Sequence, residues 1–365
     1  MKKFFVAIIS SSLVFFNTSI SYAQNLSVSE ILNNSLTKGT KQSFSGKKVQ
    51  MTIRKDLRLE AIANVDYVDK ENLNITMKSP IGVFGINYQI YKNESLIHFP
   101  YEKLSFTDAP ATSGDMMTDT IIGKITNEYP LLEQNYDISL LPDDQILGKE
   151  CYVVKITPKV GRNGNNSYWG EPGKTFWINK DNFQTMREDR YWLDGIEPYF
   201  SSQYKEYKPL SYKDSPKVRV KLPATTKKIV LGSKKEKVET FLEIYKTPEE
   251  IEKKLKTTVS VPSYLPNGFK LREIMVMNFY DTKIIIEKFD DGLNSLFVTY
   301  RTKPNIFLVL TAGSFSIPLI QKMSDLSLNA PYNYKGKETN ENLIISFGDL
   351  YPEDLTKIND SLNLK

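Results

Sequence analysis

Residues 147–207 constrain the fold most, because their apolar side chains recur at the period of a β-strand. Tyr152, Val154 and Ile156 occupy every second position, which is typical of a strand with one buried face. A second run closes on the turn at 179–182, and a third run leaves that turn. The segment therefore predicts three successive antiparallel strands.

The same alternation occurs earlier in the chain and predicts further half-buried strands there. It is found at Val49, Met51 and Ile53, at Leu73, Ile75 and Met77, and at Phe84, Ile86, Tyr88 and Ile90. A helix is expected over residues 27–40, because Ser27 can cap it and Glu30 follows three residues later. Residues 115–134 carry apolar side chains at helical spacing. A long antiparallel meander with helices on one face is an α+β arrangement.

Residues 247–365 form a second region with its own elements. Thr247 and Pro248 predict a helix start, and apolar runs predict strands at 274–279, 283–288, 296–302, 306–310 and 343–347. A last helix is expected from Pro352. We expect an export signal at 1–23, a first domain at 24–228, a linker at 229–246 and a smaller α+β domain at 247–365.

The first 23 residues have the layout of a cleavable export signal. Lys2 and Lys3 precede a short apolar core, and Ala23 ends a small-residue cleavage site. We therefore expect cleavage near Ala23 and a mature chain in the periplasm, without a transmembrane segment. The alternative is that the segment is retained as an N-terminal anchor.

Charge and composition exclude several functions. The net charge of +5 falls to +3 once Lys2 and Lys3 leave with the signal, and basic and acidic residues are interleaved, so we expect no nucleic-acid partner. Cys151 is the only cysteine, so no intrachain disulfide can form, and His98 is the only histidine, so every Ser–His or Cys–His pair depends on His98 alone. We interpret Cys151 as a small buried hydrophobe and His98 as a satisfied structural side chain.

Carboxylate pairs are the remaining candidates for catalysis. Asp143/Asp144, Glu249/Glu250 and Asp290/Asp291 stand in turns or at a helix start, where solvation and capping explain them. No phosphate loop, nucleophile elbow or zinc motif occurs. We therefore expect a protein without enzymatic activity and without a cofactor.

Two motifs in the first half resemble those of a bacterial envelope family. Gly148-Lys149-Glu150-Cys151 opens a strand that ends in Pro158-Lys159, and Trp177-Ile178-Asn179-Lys180 follows it. The pattern resembles the family of the lipoprotein carriers LolA and LolB and the sigma-factor regulators MucB and RseB. Asn179 replaces the usual Asp, which a turn tolerates.

The second half resembles the C-terminal domain of MucB and RseB. Leu265-Pro266-Asn267-Gly268-Phe269, Phe289-Asp290-Asp291-Gly292-Leu293 and Gly348-Asp349-Leu350-Tyr351-Pro352 stand in that family's order. The resemblance implies an unclosed antiparallel β-barrel with a helical plug, followed by the smaller domain.

The resemblance also implies a function, because such barrels enclose an apolar cavity. It implies that the chain holds a lipid or lipoprotein acyl chain and binds the periplasmic part of a membrane anti-sigma factor in envelope stress signalling. The alternative is a lipid or lipoprotein carrier of the LolA type. The apolar side chains that we expect to line the cavity are Val49, Met51, Ile53, Leu73, Ile75, Met77, Phe84, Ile86, Tyr88, Phe176 and Ile178.

Overall fold

The computed structural model describes residues 26–54, 57–69, 71–79, 84–91, 94–107, 125, 129–159, 173–191, 197–211, 221–230, 242–256, 259–266, 268–279, 282–302, 333–338, 342–348, 350 and 352–362. The expected signal at 1–23, the expected strand at 306–310 and most of the helical stretch at 115–134 lie outside these residues.

Within the described part of the first half, the chain builds one sheet of twelve strands. They are β1 (Phe44–Arg54), β2 (Leu57–Asp69), β3 (Asn72–Ser79), β4 (Asn87–Tyr91), β5 (Glu94–Phe99), β6 (Leu104–Thr107), β7 (Tyr136–Ile146), β8 (Lys149–Pro158), β9 (Gly173–Asn179), β10 (Thr185–Tyr191), β11 (Phe200–Pro209) and β12 (Lys227–Val230). The strands lie in the order β12, β6, β5, β4, β3, β2, β1, β11, β10, β9, β8, β7.

This sheet is mixed and is not closed into a barrel. Its neighbouring strands are antiparallel, except that β12 runs parallel to β6. The first strand, β1, pairs with β11 as well as with β2, so the N-terminal and later hairpins join in the middle. Among the described strands, β12 and β7 are the two edges.

Among the residues that the structure describes, two α-helices accompany this sheet, α1 (Val28–Thr37) and α2 (Tyr129–Asn135). The capping box predicted at Ser27 is present: the Glu30 backbone N–H donates to Ser27 Oγ at 3.2 Å, and the Ser27 backbone N–H donates to Glu30 Oε2 at 2.8 Å. These bonds satisfy two backbone donors that lack partners within the helix, and they fix where α1 begins.

In its described residues, the second half of the chain builds a separate six-stranded sheet with two α-helices. Its strands are β13 (Leu242–Tyr245), β14 (Lys270–Phe279), β15 (Thr282–Asp290), β16 (Ser295–Thr302), β17 (Asn333–Glu338) and β18 (Asn342–Gly348), in the order β13, β14, β15, β16, β18, β17. The helices are α3 (Pro248–Leu255) and α4 (Pro352–Ser361). Leu355, Ile358 and Leu362 pack with Phe289 and Leu296 in its core.

The expected linker at 229–246 coincides with strands at both ends. It begins within β12 of the first sheet, and it includes β13, which is an edge strand of the second sheet. Residues 231–241 lie outside the described parts of the chain. The expected α+β class, dominated by antiparallel strands with few helices, is confirmed.

Candidate functional site

Cross-strand register divides the twelve-stranded sheet into two faces. Residues directly opposite each other in neighbouring antiparallel strands point to the same face. One row of opposite residues runs from β9 to β2 through Phe176, Glu188, Ser202, Gln50 and Ala61. We call the face that carries this row the helix-bearing face, because α1 and α2 pack on it.

α1 and α2 cover the β8 and β9 part of the helix-bearing face. Ile31 and Leu32 of α1 and Leu132 of α2 are fully buried against this part of the sheet. We call the resulting group the helix cluster: Ile31, Leu32, Ile125, Leu132, Tyr136, Val154, Ile156, Phe176, Ile178 and Leu293.

A second apolar group lies on the same face, across β2, β3 and β4. Ala63 is opposite Met77, Val65 is opposite Ile75, and Ile75 is opposite Tyr88. We call it the strand cluster: Ala61, Ala63, Val65, Tyr67, Leu73, Ile75, Met77, Tyr88 and Ile90.

The side chains that we expected to line one cavity are divided between the two apolar clusters of the helix-bearing face and positions outside that face. Leu73, Ile75, Met77 and Tyr88 belong to the strand cluster, with Ile86 packed against it, and Phe176 and Ile178 belong to the helix cluster.

The β1 residues among them lie elsewhere. Val49, Met51 and Ile53 are opposite Ile62, Glu60 and Arg58, on the other face of the sheet. Phe84 precedes β4 in a turn and is 44% exposed. The expectation that these four side chains share a lining with the rest is corrected accordingly.

A band of buried polar side chains separates the two apolar clusters. It occupies β10, β11 and β1 in the middle of the helix-bearing face. We call it the polar band: Lys48, Gln50, Thr52, Glu188, Arg190 and Ser202. A signal for it stands in the sequence, since Lys48, Gln50 and Thr52 alternate with the apolar residues of β1, but alternation does not say which set turns inward.

The polar band contains a buried ion pair and a buried ammonium group. Arg190 Nε donates to Glu188 Oε1 at 2.6 Å, and the Arg190 guanidinium lies 4.8 Å from the centroid of the Phe200 ring. Lys48 is 4% exposed, and its Nζ lies 5.3 Å from the centroid of the Tyr204 ring. Burial lowers the pKa of Lys48 to about 8, although Glu188 opposes that shift.

Replacing Glu188 by glutamine should destabilise the fold. The change breaks the buried ion pair between Arg190 and Glu188, and breaking such a pair costs about 3–5 kcal/mol. The free energy of unfolding from urea titrations measures this. Glu206→Gln is the control: Glu206 and Lys47 form an exposed pair 4.0 Å apart on the other face, worth about 0.5 kcal/mol. Equal losses in the two variants would contradict the buried role.

A second buried polar site joins the two sheets. We call it the clasp: Asn135, Tyr136 and Lys174 on the first sheet's side, and the turn at 290–294 between β15 and β16. Tyr136 Oη donates to Asp291 Oδ2 at 2.5 Å, and Asn135 Nδ2 donates to the Asp291 carbonyl at 2.8 Å. Asn294 Nδ2 donates to Tyr136 Oη at 2.8 Å, and Lys174 Nζ donates to the Leu293 carbonyl at 3.0 Å.

The clasp is buried, which corrects our reading of Asp290/Asp291 as a solvated pair. Asp291 is 0% exposed, and its Oδ1 accepts from the backbone N–H groups of Leu293 and Asn294, so the turn is capped as expected but not solvated. Leu293 inserts into the helix cluster. Lys174 lies opposite Arg190 across β9 and β10, so the clasp adjoins the polar band.

The lone histidine and cysteine are both buried. Burial lowers the pKa of His98. The Nε2 atom of His98 has no hydrogen-bond partner among the described residues, so the expectation that this side chain is satisfied is wrong for that atom. Asn87 and Ser105 are opposite His98 on the neighbouring strands. Cys151 is fully buried, and burial raises the pKa of its thiol to about 11, which suits a packing role.

The described residues contain neither a metal-binding cluster nor a membrane-spanning helix. No group of three or more His, Cys, Asp or Glu side chains in them could hold a metal ion. None of the helices that the structure describes combines the length and the apolar character needed to span a membrane.

Comparison with known proteins identifies solved structures that have a similar fold. No family model matches the chain, and no curated protein matches its sequence. The crystal structure of MucB in complex with MucA(peri) matches 93% of this chain and 99% of that chain, with a TM-score of 0.52 and 11% identity. The Pseudomonas aeruginosa MucA/MucB complex matches 92% and 98%, with a TM-score of 0.51 and 11% identity.

A LolA superfamily protein from Nitrosomonas europaea covers 53% of this chain and 98% of its own, at 13% identity and a TM-score of 0.24, which is too low to support an argument. The MucB matches extend over both sheets and over nearly the whole of MucB. The chain therefore has the fold of MucB.

Proposed function

We propose that this chain is an exported binding and sensing protein of the MucB type. Its first sheet holds a lipid or lipoprotein acyl chain on the helix-bearing face, and the whole chain binds the periplasmic part of a membrane anti-sigma factor. The observation that carries the proposal is the match to MucB along 93% of this chain, at a TM-score of 0.52. The proposal includes a periplasmic location and no catalytic role.

The acyl ligand is supported by the helix-bearing face. The strand cluster and the helix cluster present aliphatic and aromatic side chains on the same face of a sheet whose edges do not meet. An unclosed sheet with an apolar face can admit a hydrocarbon tail between sheet and helices, where burial of each CH₂ group contributes about 0.8 kcal/mol.

The protein partner is supported by the solved complexes. MucB has been solved with MucA(peri), and this chain shares the fold of MucB over both of its sheets. A simple carrier needs one apolar site, and the second sheet gives this chain a further surface. Binding of a lipid would shift the partner equilibrium if the ligand prefers one arrangement of the two sheets. The clasp is the contact on which such a preference would act.

Native mass spectrometry tests the ligand. The full chain is purified from its own host, and bound lipid is extracted and identified. We expect an acyl-containing molecule in complex with the protein. Recovery of the chain without any acyl molecule, including after incubation with host lipid extract, contradicts the proposal.

A pull-down from envelope extracts tests the partner. Capture of a membrane protein encoded beside a sigma factor is expected for a regulator. Capture of outer-membrane lipoproteins alone would instead favour a carrier of the LolA type.

Photo-crosslinking should locate the tail on the helix-bearing face. A fatty acid with a diazirine at its chain end is expected to label the peptides that carry Leu73, Ile75, Met77 and Phe176, because these side chains lie on the apolar clusters. Mass spectrometry of the digested protein reads the labelled residues. Labelling concentrated on Met51, which is on the other face, would place the ligand elsewhere.

A further inference from the structure

We propose that the first half of β7 binds an extended segment of a partner polypeptide, which adds a strand to the first sheet. We call residues 137–141 of β7 the outer edge. The segment that fits it carries neighbouring aliphatic side chains and a basic residue. This inference rests on the proposed function in one respect, because it gives the expected protein partner a place and a kind of contact.

β7 is the exposed margin of the first sheet. Among the described strands it pairs with β8 alone, and it stands last in the strand order. Residues 139–145 are all exposed, whereas every residue of β9, on the far side of β8, is buried. A strand margin that is exposed in this way presents backbone N–H and C=O groups with which another strand can pair.

The backbone of β7 directs the polar groups of alternate residues away from β8. The Lys159 backbone N–H donates to the carbonyl of Asn135 at 3.2 Å, immediately before β7, and the same register continues to Leu141. Hydrogen-bonded and non-hydrogen-bonded pairs alternate in an antiparallel ladder. Ile138 and Leu140 therefore occupy non-hydrogen-bonded positions towards β8. Their N–H and C=O groups point outward, where an added strand can bond to them.

Apolar rows on both faces of the sheet end at the outer edge. Leu140 continues the row of Val154 on the helix-bearing face, and Leu141 continues the row of Val153 on the other face. Val154 is 0% and Val153 is 4% exposed, whereas Leu140 is 43% and Leu141 is 37% exposed. Apolar cross-strand pairs stabilise a sheet, so a strand that covers both leucines needs aliphatic side chains at neighbouring positions.

The second half of β7 is unsuitable for pairing, which limits the site to the outer edge. The register with β8 shifts between Leu141 and Asp144, and Pro142 lies within this irregular stretch. A bulge and a proline are devices that prevent a strand edge from pairing, because proline has no N–H group and a bulge interrupts the ladder. Residues 137–141 contain neither device.

The charge of β7 favours a basic partner segment over a second copy of the chain. The strand contains Asp137, Asp143 and Asp144 and no lysine or arginine. Asp143 Oδ2 accepts from Lys180 Nζ at 2.5 Å, and Asp144 Oδ2 accepts from Trp177 Nε1 at 2.9 Å. Asp137 is the exposed acid of the outer edge. Two copies of β7 side by side would bring like charges together, whereas a basic residue can pair with Asp137.

Fluorescence polarisation with synthetic peptides tests the inference. The probe is a fluorescein-labelled peptide with a short run of valines between lysines, and its matched control carries N-methyl groups on the valine amides. The two peptides share their side chains, but the control cannot donate hydrogen bonds to the outer edge. We expect the full chain to bind the control about tenfold or more weakly than the probe. Glutamates in place of the lysines should weaken binding by about threefold to tenfold.

Variants connect the binding to the outer edge. Leu140→Pro removes an outward N–H group without removing a bond to β8, and it should weaken the lysine peptide about tenfold. Leu140→Val is the matched control, because it keeps the N–H group and an aliphatic side chain. Asp137→Lys should reverse the preference between the lysine and glutamate peptides, and it keeps the test usable should circular dichroism show that Leu140→Pro unfolds. Glu206→Lys makes the same charge change on β11 and should leave that preference unchanged.

Several results would overturn the inference. They are equal binding of the plain and N-methylated peptides, absence of binding to the lysine peptide, and unchanged binding by Leu140→Pro together with an unchanged preference in Asp137→Lys. A dimer in sedimentation experiments that Leu140→Pro dissociates would assign the outer edge to a second copy of the chain instead.

The pull-down from envelope extracts separates this inference from the proposed function. Capture of the same membrane partner by the wild type and by a folded Leu140→Pro variant rejects the outer edge and keeps the partner. Failure of the wild type to capture any membrane partner rejects the partner itself. Capture by the wild type with about tenfold less capture by Leu140→Pro supports both.

Discussion

Replacing Gly292 by valine should open the clasp and release the two sheets from each other. Gly292 has a φ of +99°, and a Cβ atom there would lie 2.5 Å from the backbone nitrogen of Leu132 and 2.8 Å from the carbonyl carbon of Leu131. Both contacts are with backbone atoms of α2, so no side-chain rotation can relieve them. A valine also disfavours a positive φ, which costs about 1–3 kcal/mol.

The expected result follows from what the turn holds in place. Four hydrogen bonds and the Leu293 side chain join the sheets through residues 290–294. If the turn cannot approach α2, these contacts are lost together. We expect small-angle X-ray scattering to show a larger radius of gyration than for the wild type, and calorimetry to show two thermal transitions in place of one.

Gly148→Val is the matched control for this prediction. Gly148 also has a positive φ, +71°, but a Cβ atom there meets nothing within 4 Å. Its replacement tests backbone strain without a collision, and we expect a modest loss of stability with an unchanged scattering curve. A Gly292→Val protein that scatters like the wild type would show that the clasp does not hold the sheets together.

The second large effect is expected at Glu287, a carboxyl group buried in the second sheet. Glu287 is 0% exposed, and burial raises its pKa from 4.5 to about 8, while a hydrogen bond from Tyr300 Oη at 3.2 Å opposes the shift. Below pH 4.5 the folded and unfolded states both hold the proton. Between pH 4.5 and 8 the unfolded chain releases it and the folded chain keeps it, so stability falls as pH rises.

Glu287→Gln should remove this pH dependence, since glutamine keeps the shape of the side chain and stays neutral. The free energy of unfolding of the variant minus that of the wild type should rise by up to about 5 kcal/mol between pH 4 and pH 9. Urea titrations across that range measure it, and the exposed Glu252→Gln is the control. A difference that stays constant with pH would mean that folding does not shift the pKa of Glu287.

Local sequence patterns were sufficient to predict the strands and the helix cap, but they did not predict which face of a strand turns towards the helices. The strands around Tyr152 and Trp177 and the cap at Ser27 follow from residue spacing and from local hydrogen bonds, and the structure has them. In β1 the apolar residues Val49 and Met51 turn away from the helices. Periodicity fixes which residues share a face, but the partners of that face come from distant parts of the chain.

The sequence of β10 contains a charge pattern from which its side-chain ion pairs could have been predicted. Its Arg187-Glu188-Asp189-Arg190 run contains opposite charges two residues apart, and in a strand such residues share a face. The Arg187 and Asp189 side chains pair on one face at 2.5 Å, and Arg190 pairs with Glu188 on the other. The structure buries Glu188, Asp189 and Arg190, so the sequence indicates which charges pair but not that they are buried.

The clasp could not be predicted from the sequence. Asp290-Asp291-Gly292 has the chemistry of an ordinary turn, and that local account is correct for the bonds from Asp290 and Asp291 to the backbone. The partners of the turn, Asn135 and Tyr136, lie more than 150 positions earlier in the chain. Docking over such a separation depends on the placement of both sheets, which no local pattern encodes.

The unclosed first sheet is held at both of its margins by the rest of the chain. The polypeptide leaves it at β12 and continues through residues 231–241 into the second sheet, whereas the clasp fastens the second sheet beside β7, β8 and β9. The second sheet is thus linked to the β12 edge by the continuity of the chain and to the β7 side by the clasp. Asn135 and Tyr136 beside the β7 edge are anchored to the turn at 290–294, so the β7 edge cannot move away from β12 without carrying the second sheet with it.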